Sequence, residues 1–244
     1  MSRSRDDGGL TLVELLVAML LMTILMTVTV TIVRTGQGAL NTSRVSQELN
    51  EEARQAINRM ARDMRQATRI ITAVNPDGPA HSGTGLVAVR FQADFNGDNC
   101  VAGVNSSGTS AGCLAYNEAN PEDLTYCYQQ TSAQLFVIDN QATGVTPVTG
   151  STTSCSGGQP LLAGNVSAFK MEYRSDQYRF DLDPTDGVTT WREVDGTGAP
   201  SGNSNGVLDV ELPSVDTVVL NITMTSAGRQ QVYRTQVDMR NVSR

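Results

Sequence analysis

From Leu10 to Val33 every residue is apolar or threonine except Glu14. As a helix rising 1.5 Å per residue, this run would span ~36 Å, enough to cross the hydrocarbon core of a bilayer. Its fourteen Leu, Ile and Val contribute roughly −7 kcal/mol towards insertion, against about +3 for a carboxylate at mid-membrane. Insertion wins even with Glu14 charged. A cleavable secretory signal fits less well, because its apolar core is about 7 to 15 residues long and is followed by small residues at the cut. Gly36 and Gly38 offer such a pair.

Beyond Arg34 the pattern becomes one-sided. Val45, Leu49, Ala53, Ile57, Met60, Met64, Ala67 and Ile71 follow at steps of four and three, the apolar stripe of an amphipathic helix. That helix is expected over residues 34–75, ended by Asn75 and Pro76. Gly36 and Gly38 each weaken helix by about 1 kcal/mol against Ala, and the β-branched series from Thr27 to Val33 adds to this. A bend or melted stretch is expected there.

After Pro76, short runs with strand character alternate with polar loops. Strands are expected at 86–91, 124–129, 135–138, 166–173, 178–182, 217–224 and 232–239. Val218, Leu220, Ile222 and Met224 fall on one face, as do Tyr233, Val237 and Met239 of the next strand, with Ser226-Ala227-Gly228-Arg229 as the hairpin loop. An antiparallel sheet laid over the amphipathic half of the helix is the simplest way to bury both apolar faces. The expected class is α+β: a long N-terminal helix, half membrane-spanning (10–33) and half amphipathic, packed on a β-rich domain over 76–244. The loops 102–112, 142–158 and 195–206 are low in apolar residues and expected to be exposed.

Charge and cysteine usage narrow the function. With 18 Lys and Arg against 25 Asp and Glu, the net charge is −7; general nucleic-acid binding, which needs clustered cations, is not expected. The arginines between Arg34 and Arg69 alternate with Glu and Asp as on a solvated helix face. Cys100, Cys113, Cys127 and Cys155 all lie beyond the apolar run. An even count there points to two disulfides in an oxidising compartment. Three pairings are open, of which Cys100 with Cys113 and Cys127 with Cys155 close the shortest loops. There is no CxxC pair, and a single histidine, His81, leaves a zinc site few ligands.

Two patterns carry candidate chemistry. Residues 108–112 satisfy G-x-S-x-G around Ser110, but a nucleophile elbow needs a strand entering and a helix leaving, whereas this pentapeptide sits in a Ser/Gly-rich loop. Asp94, Asn96 and Asp98 form a D-x-N-x-D array that places three oxygen-bearing side chains on one side of a turn, a calcium-binding arrangement. Counted from Asp94, an EF-hand loop requires Gly in sixth place and Glu in twelfth; these are Asn99 and Asn105. The alternative is a solvated Asn-Gly turn. Asn203, Asn205, Gly206 and Asp209 form a second degenerate array.

The run Gly9-Leu10-Thr11-Leu12-Val13-Glu14 resembles the type IV prepilin cleavage motif, in which a short hydrophilic leader ends in Gly and glutamate is the fifth residue of the mature chain. Gly9 and Glu14 match in identity and spacing. Leu10 departs from the usual Phe, though other apolar residues are accepted there. The resemblance implies a leader over residues 1–9, cleavage between Gly9 and Leu10 by a prepilin peptidase, N-methylation of Leu10, and a role for Glu14 in assembly. Its implied partners are other pilins or pseudopilins, an inner-membrane assembly platform and the membrane itself. The implied place is the bacterial inner membrane, with the globular part outside the cytoplasm. Arg62-Asp63-Met64-Arg65-Gln66-Ala67 further resembles minor pilins of the PilW kind and J-type pseudopilins of type II secretion. Rival readings are a signal-anchored surface protein that binds or adheres, and a secreted hydrolase.

Overall fold

A computed structural model describes residues 11–74, 85–118, 121–149, 154–175, 185, 193–194, 210–226 and 228–239. Gly9, Leu10 and His81, the strand expected at 178–182 and the loop at 195–206 lie outside the described residues. The chain divides into two units, Met1–Glu48 and Leu49–Arg244.

The first unit carries the apolar part of α1 (Leu12–Arg65). Every described side chain from Thr11 to Val45 is exposed. The expected break near Gly36 and Gly38 does not occur, and the helix runs through both. Thr23, Thr27, Thr29, Thr31 and Thr35 each donate their hydroxyl to a backbone carbonyl three or four residues earlier at 2.8 or 2.9 Å. Their hydroxyls are thereby satisfied within the helix, which an apolar surrounding requires.

In the second unit, Ala53, Ala56, Ile57, Met60, Ala61 and Met64 of the same helix are buried. Leu49 packs against this core half-buried, while Val45, expected in the stripe, is exposed. The helix also stops ten residues short of the expected end. Gln66 donates its N–H to the carbonyl of Asp63 at 3.2 Å, and Ala67–Val74 is strand β1. A step of four residues is one helical turn but also two strand repeats, so Ala67 and Ile71 fit both patterns. Thr68, Ile70, Ile71, Thr72 and Val74 are β-branched and favour the pleated backbone once a neighbouring strand is present.

That neighbour is β2 (Leu86–Ala93). The chain continues through β3 (Cys100–Val101), β4 (Val104–Asn105), β5 (Asp123–Gln129), β6 (Gln134–Asp139), β7 (Gln159–Leu162), β8 (Val166–Arg174), β9 (Thr217–Ser226) and β10 (Arg229–Asp238). One antiparallel sheet has the order β1-β2-β5-β6-β7, a second β10-β9-β8, and β3-β4 is a separate hairpin whose second strand falls in the loop expected at 102–112. Pro160 is tolerated because β7 is an edge strand. The β9–β10 hairpin closes with Arg229 opposite Ser226, and Gly228 supplies the positive φ of +75° that a tight hairpin needs.

The main core joins the helix residues to Val87, Val89, Phe91, Tyr126 and Tyr128 of the five-stranded sheet and to Val218, Leu220, Ile222 and Met224 of the three-stranded one. The other face of the larger sheet has its own small core of Val74, Leu86, Ala88, Cys127, Ile138, Val148 and Cys155. Strand β2 is therefore buried on both faces, with an unbroken apolar run from Leu86 to Val89 and Arg90 alone half-buried. Val148 and Cys155 correct the expectation that 142–158 is an exposed loop: part of it is the lid of this second core.

Candidate functional site

The start of α1 is built by its own side chains. Thr11 precedes the first helical turn, and its Oγ1 accepts the N–H of Glu14 at 3.3 Å. In return, Oε2 of Glu14 accepts the N–H of Thr11 at 3.4 Å. This reciprocal pair is a capping box, which satisfies two of the donors that every helix leaves open at its N-terminus. The carboxylate also lies at the positive end of the helix dipole. From Leu12 to Val33 the helix exposes apolar side chains and threonines whose polar groups are satisfied within it, and the helix is long and apolar enough to cross a membrane.

Residues 4–30 match the prokaryotic N-terminal methylation motif. This is the signal of type IV pilins and pseudopilins, and it includes Gly9, Leu10 and Glu14. The methylation motif and the apolar helix point to a pilin-like precursor anchored in a membrane, a structural subunit and not an enzyme. The motif implies processing by a prepilin peptidase and assembly with other pilins. No curated protein and no solved structure matches the chain. Outside the methylation motif, the chemistry therefore rests on the geometry of the globular unit alone.

There, all four cysteines are paired. Cys100 is bonded to Cys113 and Cys127 to Cys155. The first bridge ties the β3 end of the 94–118 segment to its far side, and the second links the centre of β5 to the lid of the second core. Ser110 sits between the first two cysteines in an exposed turn, where its carbonyl accepts the N–H of Cys113 at 3.2 Å. Asn105 organises the rest of that turn, with its Oδ1 accepting the N–H of Ser107 and of Thr109 at 3.0 Å. No strand leads into Ser110 and no helix leaves it, so the G-x-S-x-G run is a turn and not a nucleophile elbow.

Asp94, Asn96 and Asp98 follow directly on β2. Asp94 accepts the N–H of Gly97 at 2.7 Å and of Asn99 at 2.9 Å, and Asn96 Oδ1 accepts the N–H of Asp98 at 2.9 Å. Asp98 accepts the N–H of Cys100 at 2.8 Å and of Leu114 at 2.6 Å. These bonds, that of Leu114 foremost, hold the Asp98 carboxyl below its ordinary range. A third carboxylate that the sequence did not single out joins them: ligand oxygens of Asp94, Asp98 and Glu122 all lie within 4.8 Å of one another. The ladder brings Glu122 there. Gln92 stands opposite Asp123, and one step further the N–H of Ala93 donates to the carbonyl of Glu122 at 2.9 Å.

Glu122 and its neighbour Asp123 are both buried but treated differently. Asp123 receives two bonds from Arg90, at 2.8 and 2.7 Å. Gln92 and Asn140 each add one at 2.7 Å. Its charge is fully compensated. Glu122 accepts a long bond, 3.4 Å, from the N–H of Gly103, the amide of Ala102 also acts on its carboxylate, and its Oε1 is buried without a hydrogen-bond partner. Burial raises its pKa, opposed by the amide of Gly103, with the charges of Asp98 and Asp94 adding to the rise.

Proposed function

We propose that this chain is a minor pilin or minor pseudopilin, of the PilW kind or the J type. It is inserted once through the bacterial inner membrane with its globular part outside the cytoplasm. In this reading it is cut between Gly9 and Leu10, methylated on the new amine of Leu10, and drawn into a type IV pilus or type II secretion pseudopilus. The observation that carries the proposal is the methylation motif over residues 4–30, whose part from Leu12 onward lies on a helix with its apolar side chains exposed all round. Such a surface requires lipid or neighbouring helices. Lipid tails and packed apolar helices are alike in polarity, so transfer from bilayer to filament core costs little hydrophobic free energy.

The narrower assignment is supported by the stretch Arg62 to Ala67. Its first four residues close the helix at Arg65 and Ala67 opens β1, while Asp63 is buried and bonded to Tyr126 of β5, which docks the helix on the sheet. Glu14 has a second task in this reading. Beyond capping its own helix, it offers a negative charge to the mature amine of Leu10 in an adjacent subunit and so sets the register of the filament.

Mass spectrometry of the intact N-terminal peptide from the native protein tests the proposal. The expected chain starts at N-methylated Leu10, and Gly9→Val leaves the precursor uncut. A chain that retains Met1, or one cut after Gly38, overturns it.

A further inference from the structure

We propose that Asp94, Asp98 and Glu122 form a calcium site that clamps the disulfide-bonded 94–118 segment to the start of β5. A cluster of acidic side chains alone would not carry this, since exposed carboxylates often gather at turns. The decisive feature is Glu122. It is about 95% buried, at 5% relative exposure, its Oε1 has no donor, and the same side chain shares the cluster with two carboxylates from the turn that follows β2. An unpaired buried carboxylate is strongly disfavoured. Among the described residues no Lys or Arg forms an ion pair with any of the three, whereas the adjacent Asp123 has Arg90 at 2.7 Å. A cation is the missing partner.

The geometry accommodates calcium. Calcium takes six to eight oxygens at about 2.3–2.6 Å, so two ligands across the ion lie up to about 5 Å apart; for magnesium at about 2.0–2.1 Å the limit is near 4 Å. Mutual separations within 4.8 Å fall inside the calcium range. Three hard carboxylate oxygens with no nitrogen or sulfur donor are also the set that calcium prefers over zinc or copper. Beside the cluster is a cleft of about 130 Å³ lined by residues including Asn96, Gly103, Tyr116, Glu122 and Gln141, which leaves room for the waters that would complete the shell.

The loop repeats the logic of an EF-hand with one substitution of source. Sixth place, counted from Asp94, needs a residue that accepts the left-handed backbone, and Asn99 adopts it, with φ +59°. Twelfth place is Asn105, whose side chain is bonded to Thr109 and Ala111. The carboxylate that an EF-hand takes from there comes here from Glu122, delivered through the β2–β5 ladder.

The test uses the full-length protein in detergent, stripped with EDTA, with unfolding followed thermally and calcium binding by titration calorimetry. Millimolar calcium, the range of extracellular sites, is expected to raise the midpoint by several degrees, and magnesium to raise it less. Glu122→Gln is expected to weaken calcium binding at least about tenfold and to abolish most of the shift. In EDTA the same variant should be at least as stable as the parent, because it removes a buried unpaired charge. Asp98→Asn provides a second check on affinity. Three results overturn the proposal: no calcium-dependent shift in the parent with both disulfides intact, an undiminished shift in Glu122→Gln, or a Glu122→Gln destabilisation equal in EDTA and in calcium.

Discussion

The hydroxyl of Tyr126, in the middle of β5, donates to Oδ2 of Asp63 on the last turns of α1 at 2.7 Å, with both residues buried. The bond joins positions 63 residues apart and fixes how the helix end meets the sheet. Asp63 also has Arg59 at 3.8 Å and Arg62 at 3.4 Å, but both arginines reach it from the solvent side. Tyr126 further stacks on Phe91, with ring centroids 5.6 Å apart. Tyr126→Phe keeps the stacking and leaves one oxygen of Asp63 without its buried donor. The expected loss is about 1–3 kcal/mol in the unfolding free energy of the full chain, measured with denaturant. Asp63→Asn, which keeps an acceptor, is expected to cost less. Equal stability of Tyr126→Phe and the parent would show that the bond adds nothing.

Alkaline pH offers an independent measurement of the same core. Burial first, and then the charge of Asp63, raise the pKa of Tyr126, while burial alone raises that of Tyr173. A folded-state value above the unfolded one of about 10 means that the stabilising contribution is complete below that pH and is lost as pH rises towards the folded values. Each tyrosine held neutral in the fold but ionised in the unfolded chain lowers stability by about 1.4 kcal/mol per pH unit above that point. Unfolding curves between about pH 9 and pH 11 should show this decline, and Tyr126→Phe should make it shallower. A flat profile would contradict the burial of these hydroxyls.

The two disulfides should differ in weight. Cys127–Cys155 closes 28 residues and Cys100–Cys113 closes 13. Loop-closure entropy favours the longer by less than about 1 kcal/mol, within totals of about 3–4 kcal/mol. Burial widens the gap, because Cys127 is fully buried in the second core. The Cys127→Ala, Cys155→Ala pair is expected to lower the melting temperature more than the Cys100→Ala, Cys113→Ala pair, which instead should weaken calcium binding. Alkylation of the unreduced native protein should label none of the four.

Glu14→Gln separates capping from charge. Glutamine at this position of a capping box serves as glutamate does, so the helix start survives. Membrane insertion also survives, since the apolar run supplies roughly −7 kcal/mol. If the carboxylate pairs with the amine of a neighbouring subunit in an apolar layer, removing it costs about 3–5 kcal/mol, and recovery in sheared filaments should fall at least about tenfold while the membrane fraction stays normal. Thr11→Ala, which removes the cap but keeps the charge, should affect assembly less. Equal incorporation of Glu14→Gln and the parent would remove the registry role.

What the sequence by itself determined was whatever depends on neighbours along the chain. The apolar run and the alternation of Val218, Leu220, Ile222 and Met224 are local patterns, and they form the helix and the strand expected of them. The capping box was legible too, as Thr11 three residues before Glu14, though the pilin resemblance drew attention to the glutamate instead. Where two periods coincide, local pattern fails: Ala67 and Ile71 suit a helix and a strand alike, and pairing with β2 decided for the strand. The lid over Val148 and Cys155 was hidden because a few apolar residues in a polar loop reveal nothing until a sheet face needs covering.

Tertiary structure alone decided the acidic cluster. Asp94 and Asp98 were visible as a spaced pair, but Glu122 lies 24 and 28 positions away, beyond any local repeat, and enters only because the antiparallel register sets Glu122 beside Ala93. The same ladder placed Arg90 on Asp123 and left the adjacent Glu122 without a cation. A one-residue slip would exchange those faces, which is why chemistry built across strands belongs to the register and not to the sequence pattern.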